Sequence, residues 1–379
     1  MRFEFAAATR IIFGEGMAAT LPDLARTFGA RPFVVTGGSR ERAQALVSAL
    51  SAETFAVSGE PTVDLVREGA RHAREAACDV VISIGGGSAI DAGKAIAILA
   101  TNGGEPLEFL ETVGKGRAIS VPPLPFIAVP TTAGTGSEVT RNAVLGSTEH
   151  RIKASLRSPL MLPRVAVVDP ELTYELPPEV TAFTGLDALT QLIEPYVSIR
   201  ANPLVDAICV AGIERIASAL RRAYHNGADR DARRDMALAS LFGGLALANA
   251  GLGVVHGFAA PLGGQWKAPH GALCAALLPH GMAANLAALR ARAPKHPALE
   301  HYAVVARLLT GRSEASAEDG IDWVRALCAE FKIPVLRAWG ITEADLPGLV
   351  QKAAKASSMQ ANPLPLTEAE LMALVRAAE

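Results

Sequence analysis

Up to about residue 178 the chain alternates short β-branched runs with stretches of helical spacing. PFVVT (32–36), TFAV (54–57), DVVISI (79–84), PFIAVP (125–130) and VAVVDP (165–170) are apolar runs of strand length, and helical patterns begin at Glu41, Val63 and Ala89. Strands separated by helices in this way predict a parallel sheet with flanking crossover helices, an α/β domain. After Pro177-Pro178 strand-like runs become rare and long Ala/Leu-rich helical stretches take over. The expectation is therefore an α/β domain over 1–178 and an all-α domain over 179–379, with the boundary near DPELTYELPPE, where prolines and an acidic residue open a helix.

A chain of 379 residues, half of them hydrophobic, can build two cores of ordinary size. Its formal net charge of -2 and the lack of a basic run give no reason to expect a nucleic-acid partner and favour a small molecule. The opening MRFEFAAATRIIFGEG lacks the apolar core of a secretory leader, and no run reaches the roughly 18 apolar residues of a membrane span, so a cytoplasmic location without a membrane partner is expected. Cys78, Cys209, Cys274 and Cys328 are widely spaced, without a CxxC pair, and read as buried structural thiols. A homo-oligomer, a dimer, completes the expectation.

Two glycine-rich turns follow strands. In DVVISIGGGSAIDAGKAIA, Gly85, Gly86, Gly87 and Ser88 fall between a buried strand and a helix N-terminus, where bare backbone and free N–H groups suit a pyrophosphate. The spacing matches neither GxGxxG nor the P-loop, and a tight strand-to-helix turn would look the same. A second cluster, Thr131, Thr132, Gly134, Thr135, Gly136 and Ser137, again follows a strand and offers hydroxyls and amides. At the end of PFVVT, where dinucleotide folds often place an acid on the ribose 2′-hydroxyl, the chain has Gly37, Gly38, Ser39 and Arg40. Room, a hydroxyl and a cation favour NADP(H) over NAD(H); the alternative is a plain turn with a solvated Arg40.

Asp187 in GLDALTQ and the histidines of VVHG and APHG, His256 and His270, fourteen residues apart, supply one anionic oxygen and two nitrogen donors. That set can hold a divalent ion such as Fe(II) or Zn(II) and leave positions open, the mark of a catalytic site. Chance proximity of two histidines is the alternative, and the glycine after each, which allows close backbone approach, tips the balance. Gln191, four residues after Asp187, shares its helix face and can add only a neutral amide oxygen.

The blocks GGGSAIDAGKAIA, PTTAGTGSEVT, FTGLDALTQLIEPYVS and VVHGFAAPLGGQWKAPHGALCAALLPH, with the opening RIIFGEG, resemble the iron-containing (group III) alcohol dehydrogenases. The resemblance implies a nicotinamide dinucleotide on the two glycine blocks, with Asp91 and Lys153 lining the cofactor or the cleft between the domains. It also implies a metal on Asp187, His256 and His270 and reversible reduction of an aldehyde or ketone to an alcohol. The chain departs from the family's usual pattern at Gln191, where a histidine ligand is expected, and at Ala260, where another histidine would relay the substrate proton. Three-ligand zinc sites occur in related branches. His280 reads as structural. Rival readings are a maleylacetate reductase, a lyase of the dehydroquinate synthase type, and a non-catalytic dinucleotide-binding protein.

Overall fold

A computed structural model describes the chain except residues 1, 39, 112 and 151 and the side chains of 40–43. Contacts divide it into two compact units, Ala7–Glu175 and Met1–Ala6 with Leu176–Glu379. The N-terminal strap is tied to the second unit through Ala6, whose N–H donates to Asn249 Oδ1 at 2.6 Å.

The first unit contains β1 (Ile11–Phe13), α1 (Leu21–Arg26), β2 (Pro32–Thr36), α2 (Arg40–Leu50), β3 (Glu53–Ala56), α3 (Val63–Glu75), β4 (Val80–Gly85), α4 (Gly87–Asn102), α5 (Pro106–Phe109), β5 (Phe126–Pro130), β6 (Asn142–Ser147), β7 (Ile152–Arg157) and β8 (Val165–Val168). Six strands form a parallel sheet in the order β1-β8-β5-β4-β2-β3. Successive side chains of a strand point to opposite faces. Phe33, Val35 and Val81 accordingly pack with Val66 of α3 and Ile96 of α4, while Val34, Ile82 and Ile127 pack with Leu21 and Leu24 of α1. Both faces being covered explains why the strand sequences are apolar without alternation.

The antiparallel β6–β7 hairpin and the short β1 were not expected from the sequence. The hairpin has one buried face, Ala143, Leu145, Ala154 and Leu156, alternating with partly buried or exposed residues, so it lacks the continuous buried apolar run that marks the other strands. It is locked to α4 by a buried polar network: Lys94 Nζ donates to Thr140 Oγ1 at 2.7 Å and Asn142 O at 2.9 Å, and Asp91 Oδ2 accepts the Val144 N–H at 3.0 Å.

The second unit is helical: α6 (Pro178–Val197), α7 (Pro203–His225), α8 (Arg230–Ala250), α9 (Val254–Gln265), α10 (His270–Arg292), α11 (Ala298–Thr310), α12 (Ala317–Glu330), α13 (Leu346–Ala354) and α14 (Glu368–Ala377). α6 begins with Pro178 at its first position, where the missing N–H needs no partner. It runs through the middle of the unit against α7, α8 and α10. α10 has the length and apolar composition of a membrane span, although the sequence reading found no such stretch. Its most apolar window is 72% buried among its neighbours, as befits a core helix.

Lys94 is expected to hold the hairpin electrostatically. Burial brings its ammonium down to about 8 from the ordinary 10.5, while Asp91 and Glu138 pull the other way. The folded state therefore binds this proton less tightly than the unfolded chain, and between those two values the Lys94 contribution to stability rises with pH, by at most about 1.4 kcal/mol per pH unit. Urea unfolding of Lys94→Met should lack that rise. At neutral pH the variant should be destabilised by about 3 kcal/mol, because two buried carboxyl groups lose their cation.

Candidate functional site

In the first unit, β2, β4 and β5 are neighbours, so the loops after them meet at the carboxyl edge of the sheet, the edge at which such folds bind ligands. Gly37 follows β2, Gly85 closes β4, Gly86 caps α4 and Gly87 opens it, and Thr131 to Ser137 follow β5. The loops touch. The Thr131 N–H donates to Gly85 O at 3.0 Å, a Cβ on Gly85 would lie 2.9 Å from Gly37 N, and one on Gly87 would lie 2.8 Å from the Thr135 side chain. Only glycine allows this approach at Gly85 and Gly87. Among the described residues no side chain caps α4, so its first amides, around Gly87 and Ser88, are available to an anion at the positive end of the helix dipole. Thr132 lies against Gly86, and the Ser137 N–H meets Thr135 Oγ1 at 3.4 Å.

The remaining cofactor candidates are distributed less evenly. Asp91 and Lys153 hold structural partners: Asp91 is buried in the hairpin network, and Lys153 Nζ pairs with Glu60 at 3.0 Å. Gly38 faces open space. Ser39 lies outside the described residues, and so does the side chain of Arg40, whose backbone begins α2.

In the helical unit, α6 carries Asp187, Gln191 and Glu194 one and two turns apart on one stripe, all buried. His256 sits in the first turn of α9 and His270 opens α10. Asp187 Oδ1 lies 3.4 Å from His256 Nε2 and 3.7 Å from His270 Nε2. Cys274, one turn after His270, brings Sγ to 3.8 Å from His256 Nε2 and 3.6 Å from His270 Nε2. His270 is the open side of the cluster, its side chain one-third exposed.

Glu194 organises the set. Its Oε1 accepts the Val255 N–H and its Oε2 accepts His256 Nδ1–H, both at 2.7 Å. With Nδ1 carrying the proton, His256 presents the Nε2 lone pair toward Asp187. Asn362 Oδ1 takes the Val254 N–H at 3.1 Å, and the Asn362 amide is itself held by a reciprocal pair of hydrogen bonds with that of Asn285. These contacts satisfy amides that the first turn of any helix leaves without partners.

Gln191 turns its amide nitrogen toward the carboxylate, donating Nε2–H to Asp187 Oδ2 at 3.0 Å. Its oxygen is directed toward Gly243 on α8 instead. Asp187 Oδ1 is left buried with no hydrogen-bond partner among the described residues. Burial by itself would raise the Asp187 pKa, but the His270 and His256 imidazoles outweigh it and hold the carboxyl below its usual range. Burial likewise works against protonated imidazoles, yet the Cys274 sulfur and the carboxylates of Glu194 and Asp187 leave His256 well above its ordinary value, and Cys274 with Asp187 leaves His270 raised. The cluster draws positive charge, and its donors suit a divalent ion.

Sequence reasoning missed Glu194 and assigned Cys274 to structural packing. Both carry a helical signal: Glu194 lies seven residues after Asp187 and Cys274 four after His270, so each shares a face with a recognised donor. Ala260, half-buried on α9, offers no titratable group, and His280 lies half-buried on α10 with its pKa lowered by burial.

The approach of α10 to α6 depends on Gly271, where a Cβ would lie 2.4 Å from Phe183 O. Gly271→Ala should lower the urea midpoint by an amount equivalent to about 1–3 kcal/mol. Gly38→Ala, which meets open space, should stay within about 0.5 kcal/mol of the parent.

Two family models cover nearly the whole chain: iron-containing alcohol dehydrogenase over residues 8–170, and the C-terminal part of the Fe-containing alcohol dehydrogenase family over 181–379. Alcohol dehydrogenase 4 of Schizosaccharomyces pombe is 38% identical over 378 residues, spanning 97% of this chain and 87% of its own. The crystal structure of a 1,3-propanediol oxidoreductase superposes with a TM-score of 0.91 at 34% identity over 100% of both chains. That of sulfoacetaldehyde reductase from Bifidobacterium kashiwanohense, in complex with NAD+, gives 0.87 at 30% identity over 100% of this chain and 99% of its own. The loop geometry, the buried donor set and these likenesses converge: the chain belongs to the iron-containing alcohol dehydrogenase family.

Proposed function

We propose that this alcohol dehydrogenase interconverts a small alcohol and its aldehyde or ketone at the Asp187, His256 and His270 centre, using a nicotinamide dinucleotide held by the Gly85–Ser88 and Thr131–Ser137 loops. The observation that carries the reading is the unpartnered Asp187 Oδ1 facing two imidazoles. When bound, the divalent ion supplies a Lewis acid for the substrate oxygen, and the nicotinamide supplies or accepts the hydride.

The protein's part is to hold and orient. Gln191 occupies Asp187 Oδ2 and so fixes which carboxylate oxygen faces the imidazoles. Glu194 fixes the His256 tautomer, and the exposed edge of His270 marks the side from which substrate enters. With Ala260 in place of a proton relay, the substrate proton leaves through water or a ribose hydroxyl. The shape of this set supports alcohol dehydrogenase chemistry over a maleylacetate reductase that works without metal, and over a non-catalytic dinucleotide binder. Activity toward a panel of aldehydes, ketones and keto acids, with and without added Fe(II), Zn(II) or Mn(II), tests the choice; undiminished turnover after complete chelation would refute the metal-dependent reading. A homodimer belongs to the same proposal.

Asp187→Ala and His270→Ala should lose bound metal and turnover together while dinucleotide binding, measured by fluorescence titration, persists, because the nucleotide loops belong to the other unit.

We also propose a preference for NADP(H). Gly37-Gly38-Ser39-Arg40 places no acid where a 2′-phosphate would be repelled, and it offers a guanidinium. A charge-assisted contact of about 1.5–3 kcal/mol corresponds to roughly tenfold or more in kcat/KM. Arg40→Ala should lose that advantage with NADPH and leave NADH unaffected; equal use of both cofactors by the parent enzyme would end the proposal.

A further inference from the structure

The donor count of the buried cluster points beyond the three ligands of the proposed centre. Among the described residues Asp187 Oδ1 has no hydrogen-bond partner, and His256, with Nδ1–H committed to Glu194, has only Nε2 left to turn toward it. Cys274 Sγ faces both imidazole Nε2 atoms, at 3.8 and 3.6 Å. A thiol has one weakly donated proton and cannot satisfy a carboxylate oxygen and two ring nitrogens at once. The carboxylate oxygen, the ring nitrogens and the sulfur meet in a space closed to water on the Asp187 and Cys274 sides, both fully buried. A cation in the middle would satisfy them together.

The spacing fits such an ion. Ligand atoms of Asp187, His256, His270 and Cys274 all lie within 4.8 Å of one another. Tetrahedral zinc, with bonds of about 2.0–2.1 Å to nitrogen or oxygen and about 2.3 Å to sulfur, sets its donors roughly 3.3 to 3.6 Å apart. The 3.4, 3.7, 3.8 and 3.6 Å separations found here lie close to that range. Gln191 does not compete for the position, since its amide nitrogen is the group turned to Asp187 and its oxygen is directed toward Gly243.

We infer that Cys274 is the fourth protein ligand of this centre, supplying as a thiolate the donor that Gln191 does not, and that the centre therefore selects Zn(II) over Fe(II). The inference rests on the metal-centre reading above. A thiolate is a softer, more strongly donating ligand than an amide oxygen and shifts preference toward zinc and its spectroscopic substitute Co(II). The partly exposed edge of His270 would leave such a centre accessible to a substrate oxygen from that side.

The test loads metal-free full-length protein with Co(II), confirms stoichiometry by metal analysis, and records its absorption spectrum. Wild type should show a near-ultraviolet thiolate-to-cobalt charge-transfer band. Cys274→Ser and Cys274→Ala should bind Co(II) without that band, and Cys209→Ser, a buried thiol outside the cluster, should keep it. In competition titrations, Cys274→Ser should lose at least about tenfold in Zn(II) affinity and clearly less in Fe(II) affinity. Stoichiometric Co(II) without the band in wild type, or a band that survives in both Cys274 variants, would overturn the assignment of Cys274 while leaving the three-ligand centre standing. No binding of Co(II) or Zn(II) to wild type would overturn the metal centre itself, and this inference with it.

Discussion

A carboxylate oxygen buried without a proton donor is costly in proportion to how little water reaches it, and Asp187 Oδ1 is such an atom. The surrounding structure does not remove the cost; it concentrates it. Gln191 satisfies the other oxygen, and α9 and α10 bring the Nε2 atoms of two imidazoles toward the first. The helical unit holds this arrangement through the packing of α6. α6 runs buried through the middle of the unit, and Gly271 lets α10 approach its backbone more closely than any side chain would permit.

Orientation is secured one layer further out. Glu194 divides its two oxygens between a backbone amide and an imidazole of α9, and the Asn285–Asn362 pair steadies the preceding amide. Such outer partners set the basicity and direction of a ligand as firmly as the ligand's own position does. In the α/β unit three adjacent loops lie together because Gly85 and Gly87 carry no side chains to separate them, and among the described residues no side chain caps the first amides of α4. In one unit glycines admit one loop to another; in the other they admit one helix to another.

How much of this could be read from the sequence depended on whether a residue's role was local. The parallel strands were legible because burial on both faces leaves unbroken apolar runs, whereas β6 and β7, buried on one face, did not stand out from loop composition. Asp187, His256 and His270, which the structure brings together, could be singled out because glycines and a family-like context flank them. Glu194 and Cys274 were passed over because their neighbours, LTQLIEP and HGALCAAL, read as plain core helix, and their purpose appears only when α6, α9 and α10 are packed. Gln191 was located correctly on the face of Asp187, but which end of its amide would face the carboxylate is decided by the donor requirement of Oδ2, and no spacing rule contains that.

The central claim is that Asp187 Oδ1, His256 Nε2 and His270 Nε2 converge on a metal ion. It is tested most directly by a crystal structure of the purified enzyme with anomalous data collected on either side of the zinc and iron absorption edges. The account predicts a single strong anomalous peak about 2.0–2.2 Å from each of those three atoms. Data in which the space between them holds only water, with Asp187 Oδ1 hydrogen-bonded to a protonated imidazole after growth in the presence of excess metal, would contradict it.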